Sequence, residues 1–423
     1  MNRMQDIVSF AETAKSLTPN LCIKCKGKGL CGRPYCPILE KFKSIESVVP
    51  RSSGETSIFG ASPPSVFVGR YNYPNVMAGP MIPPQLCGDD AMQLEDPKAL
   101  LKMGIQDVIA SRSQLVRANT GINVKRARLP DNPLIEKSQE LALSKNPVDT
   151  EAWFNKPISN KLKFDNVLTP MGPSGDLKKF DITENPKVPK KVDSLVYDDD
   201  ALAKDAISEL WDGNIPAEHI SRLLSIGLLG QERKLVPTRW SITAVDDMVG
   251  KDLLSEIRDY QQLSEVTVFS GGVFGNHFEI ILIPRMFSFE LIEVWMPRTV
   301  WSGGSTWIEA DHEGFGGKRK YSNLAGGYYA ARLGALEYLS SIKRQATVFM
   351  VREIRPEYWA PLGVWVVREG VREAFSREPE KFGSVEHAIT NISSRLKTDR
   401  SKWMAQAAML PDVRFQRTLD SFF

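Results

Sequence analysis

Residues 266–296 read VTVFSGGVFGNHFEIILIPRMFSFELIEVWM. Three segments of this stretch, VTVFSGGVF, HFEIILIP and FSFELIEVWM, are apolar either in alternation or continuously. That is the pattern of strands in a sheet covered on at least one face. Downstream, ATVFMVREI (346–354) and GVWVVRE (363–369) predict two more strands. Before them, YYAARLGALEYLSSIKR (328–344) repeats Ala, Leu and Tyr at three and four residues and predicts a helix.

The same reading extends towards the N-terminus. DDDALAKDAISELW and EHISRLLSIGLLG form two helical segments broken by DGNIP, a pair for which core packing is sufficient explanation. From Asp96 to Leu115 the pattern is helical, whereas residues 131–200, heavy in Pro, Asn and Lys, predict long surface excursions. SSGETSIFGASPPSVFVGRYNYPNVMAGPMIPP (52–84) interleaves Gly, Pro and Ser with aromatic and β-branched residues, as short strands between tight turns do. MQDIVSFAETAKSL (4–17) predicts a short amphipathic helix. The fold class expected is α+β, a mixed sheet with packed helices, preceded by a small four-cysteine metal-binding module and followed by a flexible C-terminal tail. The divisions expected are 1–48, 49–300, 301–410 and 411–423.

With 423 residues, 42% of them apolar, the chain is long enough for a sizeable core. Its net charge of +3 makes it no polycation, so any nucleic-acid surface has to be a local patch. No apolar run approaches a membrane span, and MNRMQDIVSF lacks the apolar core of an export signal, so a cytoplasmic protein is expected.

Four of the five cysteines crowd into LCIKCKGKGLCGRPYCP, with the spacing Cys22-x2-Cys25-x5-Cys31-x4-Cys36. In a reducing compartment such clustering argues for metal rather than disulfides. Four thiolates can close one tetrahedral shell, and Gly27, Gly29 and Gly32 give the turns between them their freedom. Zinc suits a closed four-thiolate site, with an iron–sulfur cluster as the alternative. Lys24, Lys26, Lys28 and Arg33 lie between the ligands, either as a phosphate-facing spot or as a counterweight to the thiolates. Cys87 stands apart and reads as a buried small apolar residue.

The chain given closes on QRTLDSFF, a Gln-x-x-aliphatic-x-x-aromatic-aromatic pattern at Gln416, Leu419, Phe422 and Phe423. In one turn of 3₁₀ helix, residues three apart eclipse, so Leu419 and Phe422 form a plug with Phe423 beside them. The pattern resembles, position for position, the motif by which replication and repair proteins dock on the sliding clamp, PCNA. The plainer reading folds the tail onto its own domain.

Other stretches carry possible chemistry. Arg70 sits beside Tyr71 and Tyr73, a guanidinium for phosphates next to rings for bases, although an ordinary sheet edge would also read this way. Arg112, Arg117, Arg126 and Arg128, with Lys125, form the densest basic segment. On a helix, Arg112 and Arg117 would fall within about 140° of each other. TPMGPSGDLKK has neither a P-loop ending nor the setting of a dinucleotide fingerprint. Arg239 precedes the pair Asp246 and Asp247, which is read as the cap of a following helix, or else as a cation ligand. His277 and Glu279 would share one face of a strand. Arg239 and His277 are thus candidates for binding a nucleotide or DNA. No Ser-His-Asp or Cys-His arrangement is legible.

Taken together, FGASPPSVFVGRYNYPNV, LVPTRWSITAVDD, FGNHFEIILIP, GGYYAARLGALEYL, PLGVWVVREGVREA, the cysteine cluster and the terminal QRTLDSFF resemble the archaeal Nre proteins, a family tied to DNA repair. The resemblance implies an archaeal cytoplasmic protein of the DNA-damage response, bound to the clamp through its tail and carrying a zinc finger-like N-terminal site. It implies no defined catalytic set. The leading expectation is a repair factor that rides the clamp and contacts DNA through basic and metal-bearing surface. Its rivals are an enzyme recruited to nucleotide or DNA, either an NAD-dependent ADP-ribosyl transferase or a metal-dependent nuclease, and a non-catalytic scaffold. The cysteine spacing predicts about one zinc per chain by elemental analysis, lost on Cys22→Ser or Cys31→Ser; iron with a visible absorption band would identify the cluster instead.

Overall fold

The computed structural model describes residues 25, 28–30, 32, 35–46, 54, 56–128, 132–158, 172–299, 302 and 304–411. The helix expected over 4–17, the ligands Cys22 and Cys31, and the motif at Gln416, Leu419, Phe422 and Phe423 lie outside the described residues. The chain divides into two compact units, one made by Cys36–Lys163 with Leu168–Val249, the other centred on the residues from Gly250 onward. Each is α+β, with one mixed six-stranded sheet. No helix among the described residues is long and apolar enough to cross a membrane.

The unit that comes first in the chain contains α1 (Pro37–Glu46), β1 (Ser57–Ser62), β2 (Val66–Val68), β3 (Asn75–Ile82), α2 (Pro97–Leu100), α3 (Ile105–Ser113), β4 (Val116–Asn123), α4 (Pro133–Leu143), β5 (Val148–Phe154), β6 (Ser174–Ile182), α5 (Lys190–Val196), α6 (Ala203–Asp212), α7 (Ala217–Ser225) and the start of α8 (Thr238–Ile257). Its strand order is β1-β5-β6-β4-β3-β2, with only β4 and β6 parallel. Ile58, Ile82, Val116, Leu141, Phe154 and Phe180 meet in its core. Over the described parts of 131–200 the expectation of irregular excursions is corrected. Asn132 caps α4 by accepting the Leu134 N–H, and Pro133 occupies the first turn, where its missing N–H costs nothing. Polar and proline residues there mark caps and turns, not absent structure.

The second unit contains β7 (Val266–Val273), β8 (Asn276–Ile283), β9 (Ser288–Trp295), β10 (Trp307–Glu313), α9 (Gly326–Ser341), β11 (Thr347–Ile354), α10 (Trp365–Phe375), β12 (Glu380–Phe382), α11 (Val385–Arg395) and α12 (Arg400–Met404). Strand order is β10-β9-β11-β8-β7-β12, parallel only between β9 and β11. One face, including Phe278, Ile280, Phe289 and Met350, packs under α9, α10 and the end of α8. The other, including Ile281, Ile292, Phe349 and Val351, packs under α11 and α12, with Trp403 and Leu410 fully buried. Burial on both faces is why β8, β9 and β11 read as continuous apolar runs rather than alternating ones.

GVWVVRE is corrected from strand to helix: it falls in α10. Val367, Val371 and Ala374, spaced four and three apart, all join the core under that helix. A short apolar run does not by itself separate a buried helix from a strand. Gly370 faces β8 so closely that a β-carbon there would lie 2.5 Å from the Phe278 ring.

Charges inside this double-covered sheet are paired. Arg352 of β11 donates to Glu293 at 2.5 Å and, through Nε and Nη2, to Asn276 Oδ1 at 3.0 and 2.5 Å. Arg332 of α9, fully buried, reaches Glu313 at 3.0 and 3.2 Å. Removing one partner of such a pair leaves the other as an uncompensated buried charge. Arg352→Ala is therefore expected to cost about 3–5 kcal/mol of stability in urea unfolding.

Candidate nucleic-acid interface

Between β2 and β3 the chain reads Gly69-Arg70-Tyr71-Asn72-Tyr73-Pro74. Gly69 donates to the Met77 carbonyl at 2.7 Å and closes this loop at its base. Asn72 turns the chain at φ 61°, a conformation asparagine tolerates, and its carbonyl accepts from the Asn75 N–H at 2.8 Å. So tight a turn cannot bury its own large side chains. Tyr71 stays 64% and Tyr73 39% exposed, with the Arg70 guanidinium 5.2 Å from the Tyr71 ring centroid.

Two further segments pack beside this loop within the same unit. The 3₁₀ turn Val124–Arg128 is tied to it by Val124 N–H donating to the Pro74 carbonyl at 2.9 Å, and it leaves Lys125 and Arg126 exposed. Val124 in turn accepts from the Leu235 N–H at 2.9 Å, which brings in the lead-in to α8. The Thr238 hydroxyl accepts from the Val68 N–H at 2.9 Å, and Trp240 packs on Tyr73 with centroids 5.3 Å apart. Arg239, at the start of α8, is exposed. Arg70, Tyr71, Tyr73, Lys125, Arg126, Arg239 and Trp240 therefore belong to three adjoining segments, cations beside rings. Such a set can grip phosphates while stacking on bases. Trp240 is the member that the sequence pattern does not single out, although its neighbour Arg239 is a candidate there.

The remaining basic candidates do not join this face. Arg112 ends α3 and is held by Glu95 at 3.0 Å. Arg117 lies in β4, not on a helix with Arg112; it donates to the Gly172 carbonyl at 3.2 and 3.3 Å and covers the Phe67 ring. Burial lowers its guanidinium from the ordinary value. Arg128, exposed at the end of the 3₁₀ turn, is drawn to Asp199 at 3.6 Å and to the Gln231 carbonyl.

His277 belongs to the other unit. As its alternation with Glu279 suggests, the two share a face of β8, and Nε2 lies 2.7 Å from Glu279 Oε1. The fully buried Glu279 also accepts from Ser270 Oγ at 2.9 Å and from Arg395 at 2.9 Å through both oxygens. Burial alone would raise its carboxyl, but the His277 and Arg395 hydrogen bonds outweigh that and hold it below the usual range. Its oxygens are engaged, so the reading of this pair as divalent-cation ligands is not carried. Among the described residues no group of three or more acidic, His or Cys side chains could hold a metal. His219 is no rival as a proton carrier: burial first, and the nearby Arg222 charge second, push it down to about 2. Asp246 and Asp247 do not cap a helix. They lie inside α8, which begins eight residues before Asp246.

Of the cysteine cluster, Cys25 is buried and Cys36 half-buried. Cys25 Sγ accepts from the Leu30 N–H at 3.3 Å, the kind of bond that stabilises a thiolate, and Gly29 and Gly32 take φ 77° and 66°. These features fit a thiolate metal site as far as the described residues extend. Cys87 is exposed, contrary to the expectation of burial; it lies just ahead of a 3₁₀ turn, outside the sheet.

Comparison with known proteins follows the same lines. The profile described as "Archaeal Nre, N-terminal" matches residues 30–302, and "Archaeal Nre, C-terminal" matches residues 313–422. "DNA repair protein NreA" of Archaeoglobus fulgidus is 42% identical over 404 residues, 95% of this chain and 98% of that protein. "DNA repair protein NreB" of the same organism is 38% identical over 402 residues, 95% and 99% of the two chains. "DNA repair protein NreA" of Haloferax volcanii is 36% identical over 390 residues, covering 89% and 93%. No solved structure matches.

The Tyr73–Trp240 contact predicts a measurable coupling. In a double-mutant cycle of Tyr73→Ala and Trp240→Ala the two losses of stability should fall short of additivity by about 0.5–1.5 kcal/mol. Full additivity would mean that the rings do not support one another.

Proposed function

The chain belongs to the archaeal Nre family, and from that membership we propose that it is a DNA repair factor which docks on the sliding clamp PCNA and contacts DNA through the face around Arg70. The observation that supports DNA contact most directly is the meeting of three sequence-distant segments, at Arg70–Tyr73, Lys125–Arg126 and Arg239–Trp240, on one unit. A molecule of net charge +3 concentrates cations there beside exposed rings, which suits single-stranded or unstacked DNA better than an intact duplex. The relatives named as DNA repair proteins support the biological role.

Docking is assigned to Gln416, Leu419, Phe422 and Phe423, where the apolar side chains fill a pocket of the clamp and the Gln416 amide bonds at its rim. Cys22, Cys25, Cys31 and Cys36 are assigned to zinc, which would cross-link a segment too short to build its own core. In this reading the clamp supplies localisation, and the basic aromatic face supplies the grip.

Two measurements bear on it. Deleting residues 416–423 should abolish clamp binding in calorimetric titration while leaving the melting temperature unchanged; retained binding would remove the docking assignment. Replacing Arg70, Arg126 and Arg239 by Ala together should weaken binding of a labelled single-stranded oligonucleotide. It should also flatten the slope of log K against log salt by about 2, since each phosphate contact contributes roughly 0.7. An unchanged slope would mean that DNA goes elsewhere.

A further inference from the structure

The hairpin joining β7 to β8 forms one wall of a cleft of about 220 Å³, lined by Ser270 to His277 together with Arg355 and Arg377. The hairpin turns in two residues, Phe274 at φ 52° and Gly275 at φ 77°, between the paired Val273 and Asn276. Its position is fixed from outside. The Gly275 carbonyl accepts from the Arg355 N–H at 2.9 Å, and the Phe274 ring packs edge-on to Trp365 at 5.9 Å.

Each of the three ionisable side chains in the lining is held by a carboxylate of its own. His277 Nε2 is 2.7 Å from Glu279, Arg355 Nε donates to Glu353 at 2.9 Å, and Arg377 Nε donates to Glu373 at 2.7 Å. Glu279 and Glu353 are fully buried, and none of the three carboxylates lines the cleft. Glu373 also accepts from the Gly272 N–H at 2.5 Å, which locks α10 to the hairpin. After these bonds Arg355 Nη1, Arg377 Nη1 and His277 Nδ1 have no partner among the described residues.

Because an ionised carboxylate only accepts, His277 Nε2 carries a proton toward Glu279, and Nδ1 is the ring nitrogen left for a ligand. The lining therefore offers two guanidinium edges and one ring nitrogen to an anionic ligand. We propose that this cleft is a receptor for a phosphate monoester, its anionic oxygens held by Arg355 and Arg377 beside His277. A monoester carries about −1.5 to −2 charge at pH 7 on three terminal oxygens, whereas an internal phosphodiester carries one charge on two, so the pair of guanidiniums favours a terminal phosphate over a backbone one. The cleft is smaller than the roughly 300–1,000 Å³ of sites that enclose a whole small molecule, so it takes the phosphate head and leaves the remainder of the ligand outside. Two sources share that chemistry: a mononucleotide and the phosphorylated end of a DNA strand. The proposal does not depend on clamp docking.

The full-length protein is titrated calorimetrically with inorganic phosphate, AMP, and matched oligonucleotides bearing a 5′-phosphate or a 5′-hydroxyl. The wild type should bind phosphate or AMP, and Arg377→Gln should weaken this at least tenfold; with this side chain 58% exposed, the variant is expected to fold. AMP bound tenfold more tightly than phosphate identifies a mononucleotide. A tenfold preference for the 5′-phosphorylated strand, lost in Arg377→Gln, identifies a DNA end. Failure of every monoester to bind, or equal affinities in wild type and Arg377→Gln at equal melting temperature, overturns the proposal.

Discussion

Burial of the central strands of the second sheet on both faces is the constraint from which most of this unit follows. Strands β8, β9 and β11 carry Glu279, Glu290, Glu293, Arg352 and Glu353, all buried. A charge in that position is tolerated only with partners, because desolvation costs several kcal/mol per ion. The partners are drawn from segments far away in sequence. Arg395 at the end of α11 comes to Glu279, the N–H groups of Lys397 and Thr398 to Glu353, and those of Ala408 and Met409 to Glu290. Burial raises the Glu290 carboxyl, and the two N–H groups work against that rise. The sheet's carboxylates thus serve as anchorage for the chain from α11 to Met409.

The same logic sorts the arginines. Arg112, Arg117, Arg332 and Arg352 are occupied by internal acceptors and hold structure together. Arg70, Arg126 and Arg239 belong to segments too tightly turned, or too near a helix start, to sink their side chains into a core. Arg355 and Arg377 fall between these classes: each is fastened on one edge and offers the other to a cleft. Fastening removes the entropy that a free surface arginine would lose on binding, which is what separates a preorganised donor from a solvated charge.

Much of the architecture was legible where apolar periodicity is long and unambiguous, as in β7, β8, β9, β11 and α9. The errors have identifiable causes. GVWVVRE is an apolar run too short for its period to show, and only the packing of Val367 with Val371 and Ala374 in one core reveals the helix. The Asp246–Asp247 pair looked like a cap because caps are normally recognised from one strong local signal, whereas here α8 had already begun at Thr238. The start of residues 131–200 looked irregular because Pro133 was counted as a breaker rather than as a first-turn residue.

What the sequence by itself determined is the chemistry available: the family, two α+β units' worth of apolar pattern, a four-cysteine cluster, a clamp-type motif and an unremarkable net charge. Which charges are consumed and which are offered was decided only by the tertiary structure. Arg112 and Arg126 are indistinguishable as letters, yet one is half-buried against Glu95 and the other lies exposed on a 3₁₀ turn. Likewise nothing in the spacing of His277, Arg355 and Arg377 brings them to one cleft. The buried pairs Arg332–Glu313, Arg352–Glu293 and Arg395–Glu279 join residues far apart in the chain, and no local pattern encodes them.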